Sequence, residues 1–234
     1  MLADYDARTP GLLFDDPPDL TIDQAYALQA QIARLREARG EKVIGYKLGC
    51  TSPTLQAQLG IHEPIFAPLF DTERHDSGAR LSHARFANLA VEGELAVTLA
   101  DPDAIESIFP VIELHHYVLR SPSLRCQELI AVNGMHAGFV VADPPHGGPQ
   151  VRVKNLTLVV NDERIGRSDE PWTMATPIAS VRWLAARLAD RGLRLWRGQV
   201  ILTGSSLPLI PVAPGTRVVV EAPPLGSCRA VIDP

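Results

Sequence analysis

Val91-Glu92-Gly93-Glu94-Leu95-Ala96-Val97-Thr98-Leu99 (residues 91–99) is the stretch on which the fold turns. Branched and apolar residues with few turn formers predict a strand over 86–100. In a strand, Glu92 and Glu94 leave from the same face. Neighbouring carboxylates repel, and ionising both beside Leu95, Val97 and Leu99 is costly unless a cation intervenes. A hard cation bound through oxygen, Mg²⁺ or Mn²⁺, resolves that conflict. A solvent-facing strand surface with two ordinary glutamates accommodates the same spacing.

Reading outward, FPVIELHHYV (109–118) belongs to a second strand predicted over 108–119. Glu113 is a lone carboxylate among branched and aromatic residues. Such an acid is either ion-paired on an edge strand or a ligand. Three carboxylates on two strands would supply one face of an octahedral site. His115 and His116 alternate across the strand, so at most one shares a face with Glu113. Both are read as packing or surface residues.

Upstream, VIGYKLG (43–49) is a short strand in which Lys47 sits among apolar neighbours. It is one of only three lysines in the chain. Burial there would depress its pKa and suit it to moving protons. A salt bridge or a snorkelling lysine fits the same pattern. Downstream, Thr203-Gly204-Ser205-Ser206-Leu207-Pro208 forms a polar turn after the strand QVILTG (199–204). Its amides and hydroxyls suit a bound carboxylate, and an ordinary loop has the same composition. No GxSxG elbow, GxGxxG loop or Walker A sequence occurs.

The rest of the chain supplies a scaffold. Residues 1–20 read as an irregular leader. Thr21 and Gln24 form a capping box before a helix whose stripe is Ile22, Ala25, Leu28, Ile32 and Leu35, ending at Gly40. Ser52-Pro53 opens a short helix closed by Gly60. DPPHGGP (143–149) reads as a loop. LTLVV (156–160), a turn at Asn161-Asp162 and ERIG form a hairpin. Thr176-Pro177 caps a helix with the stripe Ile178, Val181, Leu184, Ala185 and Leu188, ending at Gly192. Strands follow at 217–222 and 227–232. Strands outnumber helices, so the fold class is α+β with an antiparallel or mixed sheet.

Composition narrows the function classes. Of 234 residues, 46% are apolar and 21% charged, which is the range of soluble globular chains. The net charge of −5, without a local Lys/Arg cluster, leaves no electrostatic footprint for nucleic acid. No apolar run reaches membrane-spanning length, and the N-terminus lacks the pattern of a secretory signal. Three cysteines without CxxC spacing suit a reducing cytoplasm.

GYKLGCTSPTLQAQLGI (45–61), VEGELAVTL (91–99), FPVIEL (109–114) and VILTGSS (200–206), in that order and spacing, resemble the fumarylacetoacetate hydrolase superfamily. The likeness is to its 2-keto-4-pentenoate hydratase and 2-oxo-3-hexenedioate decarboxylase group, from about residue 20 to the C-terminus. The resemblance implies a rolled mixed β-sheet with helices outside, in one catalytic domain over 1–234. Within it, residues to about 60 form a helical region and the remainder the β-roll. It implies Mg²⁺ or Mn²⁺ held by Glu92, Glu94 and Glu113, and a small 2-oxo acid as substrate. It makes Lys47 a proton-transfer or carboxylate-binding residue and sets Leu202, Thr203, Gly204 and Ser205 beside the substrate carboxylate. It further implies a homo-oligomer, with association with a partner pathway enzyme as an extension.

Three departures stand out. The group's Leu-Phe-Ala-Asp, whose aspartate helps proton transfer, reads Leu69-Phe70-Asp71-Thr72. Asp71 replaces that acid only if a bulge or turn compensates the one-residue shift. Ala-Asp-Asn reads Ala131-Val132-Asn133. The usual Gly-rich loop reads Ser168-Asp169-Glu170-Pro171-Trp172-Thr173-Met174-Ala175-Thr176-Pro177. The expectation is a hydratase of the 2-hydroxypenta-2,4-dienoate type. Decarboxylation of a 2-oxo-enedioate, C–C bond hydrolysis and a non-catalytic partner role are the alternatives. Arg74, Arg80 and Arg85 are candidates for a second substrate carboxylate or are simply solvated.

Overall fold

The computed structural model describes residues 1–8, 19–117, 125–142 and 147–234. Its centre is the pair of long strands β5 (Leu89–Asp101) and β6 (Ala104–His116). They are flanked by β1 (Val43–Gly49), β2 (Ile65–Phe70), β3 (Arg74–Asp76), β7 (His136–Val141) and β10 (Val200–Leu202). The order is β2-β1-β10-β5-β6-β7-β3, with β11 (Ile210–Pro211) on β5. β1 runs parallel to β10 and β3 parallel to β7, while the other neighbours are antiparallel. A second sheet joins β4 (Ala79–Ser82), β13 (Ser227–Asp233), β12 (Arg217–Glu221), β8 (Leu156–Val160) and β9 (Glu163–Ser168), in that order. The mixed-sheet α+β architecture is the one expected.

Gly93 explains how the sheets meet. It lies between Glu92 and Glu94 but on the opposite face of β5. A Cβ there would lie 3.0 Å from Val220 and 3.1 Å from Leu207. The glycine lets the second sheet press on the first while both glutamates leave on the far side. Val91, Leu95, Val97, Ile112, Leu114, Val218, Val220 and Cys228 fill the buried core.

The helices α1 (Leu2–Ala7), α2 (Ile22–Ala38), α3 (Pro53–Leu59), α4 (Cys126–Ala131) and α5 (Pro177–Ala189) complete the described elements. The capping box at Thr21 and Gln24 is formed. Ser52 and Thr176 cap α3 and α5 as expected, and Val181, Leu184 and Leu188 bury the face of α5. The face of α2 differs from its apolar stripe. Ala25, Tyr26, Gln29 and Arg36 are buried, whereas Leu35 is 49% exposed. Hydrogen bonding decides the rotation. β2 is an edge strand, and its Phe66 N–H donates to the Tyr26 hydroxyl at 3.2 Å. Gln29 Nε2 donates to Phe66 O and Ile130 O at 3.1 and 2.9 Å. Covering an exposed sheet edge outweighs burying a few more methyl groups.

Two other expectations shift. Leu2–Ala7 is helical rather than irregular, tied down by a bond from Tyr5 to Glu73. β1 lies inside the large sheet, so the first sixty residues are not a separate helical region. Residues 9–18 of the expected leader, 118–119 of the expected strand and 143–146 of the expected loop lie outside the described residues. Among the described residues, no helix is long and apolar enough to cross a membrane.

Candidate metal centre

Strand register builds the centre. Glu92 sits directly opposite Glu113, and Ala90 opposite His115. Lys47 pairs with Leu202, and Leu202 with Ala96. Residues paired across strands share a face, so Lys47, Glu92, Glu94, Glu113 and His115 all rise from one side of the large sheet. Lys47 Nζ reaches Glu113 Oε1 at 2.9 Å, with Glu113 fully buried. His136 Nδ1, at the start of β7, lies 2.7 Å from the same oxygen. His115 Nε2 is 3.5 Å from Glu113 Oε2 and 3.7 Å from Glu92 Oε2.

The electrostatics of this group are out of balance. Burial, then the neighbouring charges of Glu113 and Glu92, pushes Glu94 well above the usual carboxylate range. Glu92 is raised by burial and by Glu113. Burial also pushes Glu113 upward, but Lys47 and then His115 hold it well below its ordinary value. Burial pulls Lys47 down, yet Glu113 and Glu94 outweigh that and raise it. The expected depressed lysine is thus corrected, because its partners are anions. Three carboxylates facing one ammonium leave a formal excess of two negative charges, the deficit a divalent cation fills. Among the described residues, Glu113 Oε2 and both ring nitrogens of His115 are buried without a hydrogen-bond partner. One donor atom each from Glu92, Glu113 and His115 lies within 4.8 Å of the others. The donor set fits a divalent metal.

The turn after β10 is brought to this cluster. Gly204 N–H donates to Glu94 Oε2 at 3.0 Å. Gly204 has φ 92°, and a Cβ there would lie 2.6 Å from Thr51. Thr203 Oγ1 donates to Leu95 O at 2.8 Å, and Ser205 Oγ to Gly93 O at 2.8 Å. Those hydroxyls fasten the turn to β5, and Leu202 is a buried strand residue beneath it. Thr173, in the loop between β9 and α5, donates to Thr203 O at 3.0 Å, so that loop borders the turn. A second wall comes from Asn133-Gly134-Met135, three successive left-handed residues with φ 58°, 61° and 62°. A Cβ on Gly134 would lie 2.7 Å from Lys47 Cε. Backbone strain of this kind is held only where the surroundings impose it.

Asp71 is not brought in. It is exposed, and its Oδ1 accepts from the N–H of Lys42 at 2.9 Å and of Thr72 at 3.0 Å. The register irregularity between Val43 and Gly45, opposite Leu69 and Phe70, does not turn Asp71 inward; a 3₁₀ turn over Asp71–Glu73 points the next acid inward instead. Glu73 is buried, accepts from Tyr5 and Arg36 at 2.6 Å each, and lies 3.6 Å from His136 Nε2. His115 is also corrected: it faces the carboxylates, not the packing core. His116 lies on the other face and accepts from Ala87 N–H at 3.0 Å; burial pushes its pKa down to about 4. Arg80 is spent on Asp233 at the surface. The residues missed at the sequence level are Glu73 and His136. Period-two alternation from Glu113 already placed His115 on the right face, whereas only the β6–β7 register brings in His136.

No family model matches the chain. It is 31% identical to 2-hydroxyhexa-2,4-dienoate hydratase of Comamonas testosteroni, over 95% of this chain and 90% of that one. It is 30% identical to 2-keto-4-pentenoate hydratase of Burkholderia vietnamiensis, over 97% and 92%. Among solved structures it superposes with a TM-score of 0.87 on 4-oxalocrotonate decarboxylase from Pseudomonas putida G7, complexed with magnesium and adipate. That pair shares 26% identity over 98% of this chain and 93% of the other. Fold, carboxylate face and relatives agree: the chain belongs to the hydratase and decarboxylase group of the fumarylacetoacetate hydrolase superfamily.

Proposed function

We propose that the protein is a divalent-metal-dependent hydro-lyase that hydrates a small 2-hydroxydienoic acid of the 2-hydroxypenta-2,4-dienoate type. The observation that carries this reading is the convergence of Glu92, Glu94, Glu113 and Lys47 on one sheet face. The chain's relatives at 30% identity or more that carry hydratase names support it. In this reading Glu92, Glu94 and Glu113 would hold Mg²⁺ or Mn²⁺, which supplies Lewis-acid polarisation of the substrate's 2-oxo group.

The other steps fall to side chains. Lys47, kept as an ammonium by Glu113 and Glu94, is an acid. It delivers a proton to the end of the dienol as the 2-hydroxyl proton passes to solvent water, from which Lys47 is reprotonated, and the α,β-unsaturated ketone results. Water then adds its hydroxyl at C4 and its proton at C3, giving a 4-hydroxy-2-oxo acid. His136 orients Glu113, and Gly134 presses on the Lys47 stem, so the ammonium has little freedom. The turn Leu202-Thr203-Gly204-Ser205, fixed by its bonds to β5, borders the substrate carboxylate. Asp71 has no part in these steps.

A second reading, decarboxylation of a 2-oxo-enedioate on the same centre, draws on the structural likeness to 4-oxalocrotonate decarboxylase. The proposal includes self-association and a cytoplasmic setting. Leu35, Leu193 and Trp196, each nearly half exposed, support the first, and three free thiols support the second.

The test is a proton NMR time course of 2-hydroxypenta-2,4-dienoate with the protein and Mg²⁺ in D₂O. Formation of 4-hydroxy-2-oxopentanoate is the expected result. Deuterium entry at C3 without hydration would shift the assignment to the decarboxylase reading. Neither signal, with metal bound, would overturn catalysis on this class of substrate and favour a partner role.

A further inference from the structure

Among the described residues, His115 is the one buried side chain at the centre whose polar atoms are all idle. It is 2% exposed, and neither ring nitrogen has a hydrogen-bond partner among the described residues. Leaving such a group buried and unpaired is destabilising, so an imidazole held this way needs a use. Its Nε2 is 3.5 Å from Glu113 Oε2, itself unpartnered, and 3.7 Å from Glu92 Oε2. Both separations exceed the roughly 2.7–3.2 Å of an N–H···O bond. They match a different relationship. Two donors each about 2.1 Å from one ion stand about 3 Å apart at right angles and about 4 Å apart when opposed.

The other histidines do not compete for this role. His136 commits Nδ1 to Glu113 Oε1 at 2.7 Å, and its Nε2 faces Glu73. His116 accepts from Ala87 on the opposite face of β6. Glu94 has one oxygen taken by Gly204 N–H.

We propose that His115 Nε2 is a direct ligand of the metal, added to the carboxylates Glu92, Glu94 and Glu113, making a mixed imidazole–carboxylate centre. This rests on the metal-centre reading above. An imidazole ligand changes the choice of ion. All-oxygen sites suit Mg²⁺, whereas a nitrogen donor favours Mn²⁺, Co²⁺ and Zn²⁺ in the order of their affinity for nitrogen. The chain would therefore select a transition metal over Mg²⁺ at equal concentration.

The test uses tag-free, full-length protein loaded with Mn²⁺, read by pulsed EPR for hyperfine coupling to a bound nitrogen, with ¹⁵N-histidine labelling to identify it. The expected result is a directly coordinated histidine nitrogen in the wild type and in His136→Gln, and its loss in His115→Gln. In parallel, calorimetric titration of His115→Gln should show Mn²⁺ affinity down at least tenfold and Mg²⁺ affinity within threefold of wild type. Stoichiometric Mn²⁺ without nitrogen coupling in the wild type would overturn the proposal and leave the carboxylate centre standing. Failure of the wild type to bind Mn²⁺ or Mg²⁺ at millimolar concentration would overturn both. Should His115→Gln not fold, coupling that survives in His136→Gln still decides the matter.

Discussion

Lys47 Nζ and His136 Nδ1 converge on a single oxygen, Glu113 Oε1, at 2.9 and 2.7 Å, while Oε2 of the same carboxylate has no hydrogen-bond partner among the described residues. One oxygen therefore anchors Glu113 to the protein and the other is free to face a ligand. Glu113→Gln removes the anion that Lys47 and His136 share. Breaking a buried ion pair on one side costs about 3–5 kcal/mol. A melt should fall accordingly, and metal titration and turnover should collapse together. Glu92→Gln, at a side chain 21% exposed, should weaken metal binding with much less loss of stability. Retained turnover in Glu113→Gln would sink the assignment.

Metal content should be visible in stability alone. The carboxylates repel one another without a cation, so a divalent ion binds the native state and not the unfolded chain. At a hundred times its dissociation constant, such a ligand adds about 2.7 kcal/mol. For a chain of this length that raises Tm by about 5–10 °C. Scanning calorimetry with EDTA and with graded Mg²⁺ or Mn²⁺ measures the shift. A Tm indifferent to both ions at millimolar concentration would contradict the centre.

Lys47→Met separates proton delivery from metal binding. The side chain keeps most of its length and loses its charge. Metal affinity should stay or rise, because a competing cation is gone. Product formation and deuterium entry at C5, the end of the dienol, should fall by about 10²–10⁴-fold, the usual worth of a positioned acid–base group. An unchanged exchange rate would assign the proton to another residue.

Much of this was legible in advance, for reasons that differ by residue. Glu92 and Glu94 could be placed on one face because strand alternation is strictly local, whereas Glu113, on another strand, joined them through the family resemblance. Lys47 joined them through the same resemblance, its strand alone being recognisable, and its protonation was not legible, since that depends on which charges face it. Asp71 and Glu73 were exchanged because a 3₁₀ turn reverses which residue points inward, and nothing in Leu69-Phe70-Asp71-Thr72 announces such a turn. The buried face of α2 was misjudged because Gln29 and Arg36 answer to partners far along the chain, Phe66, Ile130 and Glu73. His136 enters only through the irregular register between β6 and β7.

That exchange of acids is testable. Asp71→Ala loses bonds from two exposed backbone amides, and should cost about 1 kcal/mol while leaving kcat within twofold. Glu73→Gln instead takes one of two carboxylate partners from buried Arg36, which keeps Glu41, and loosens the far side of His136. It should cost about 2 kcal/mol and lower metal affinity more than Asp71→Ala does, because Glu73 supports His136, which in turn holds Glu113. Melts and metal titrations on the two variants give the comparison. The reverse ranking would restore Asp71 to the site.

The thiols give a pH dependence independent of the metal. Burial pushes Cys228 up to about 12 and Cys126 up to about 11. The Cys228 thiol sits 3.1 Å from Val140 O, to which it donates. An unfolded thiol ionises near pH 8.5. Between that pH and the native value the unfolded chain has lost its thiol proton and the native chain has kept it. The native state binds more protons there, so stability is full below about pH 8.5 and declines as pH rises toward 11–12. Cys228 alone accounts for on the order of 5 kcal/mol across that window, at about 1.36 kcal/mol per pH unit. Urea midpoints of the wild type should therefore fall between pH 8.5 and 10.5, with a shallower slope in Cys228→Ala. At pH 8, a disulfide reagent should modify Cys126 and Cys228 at least a hundredfold more slowly in native protein than in urea. Equal rates would mean that the packing between the two sheets opens far more readily than its buried core implies.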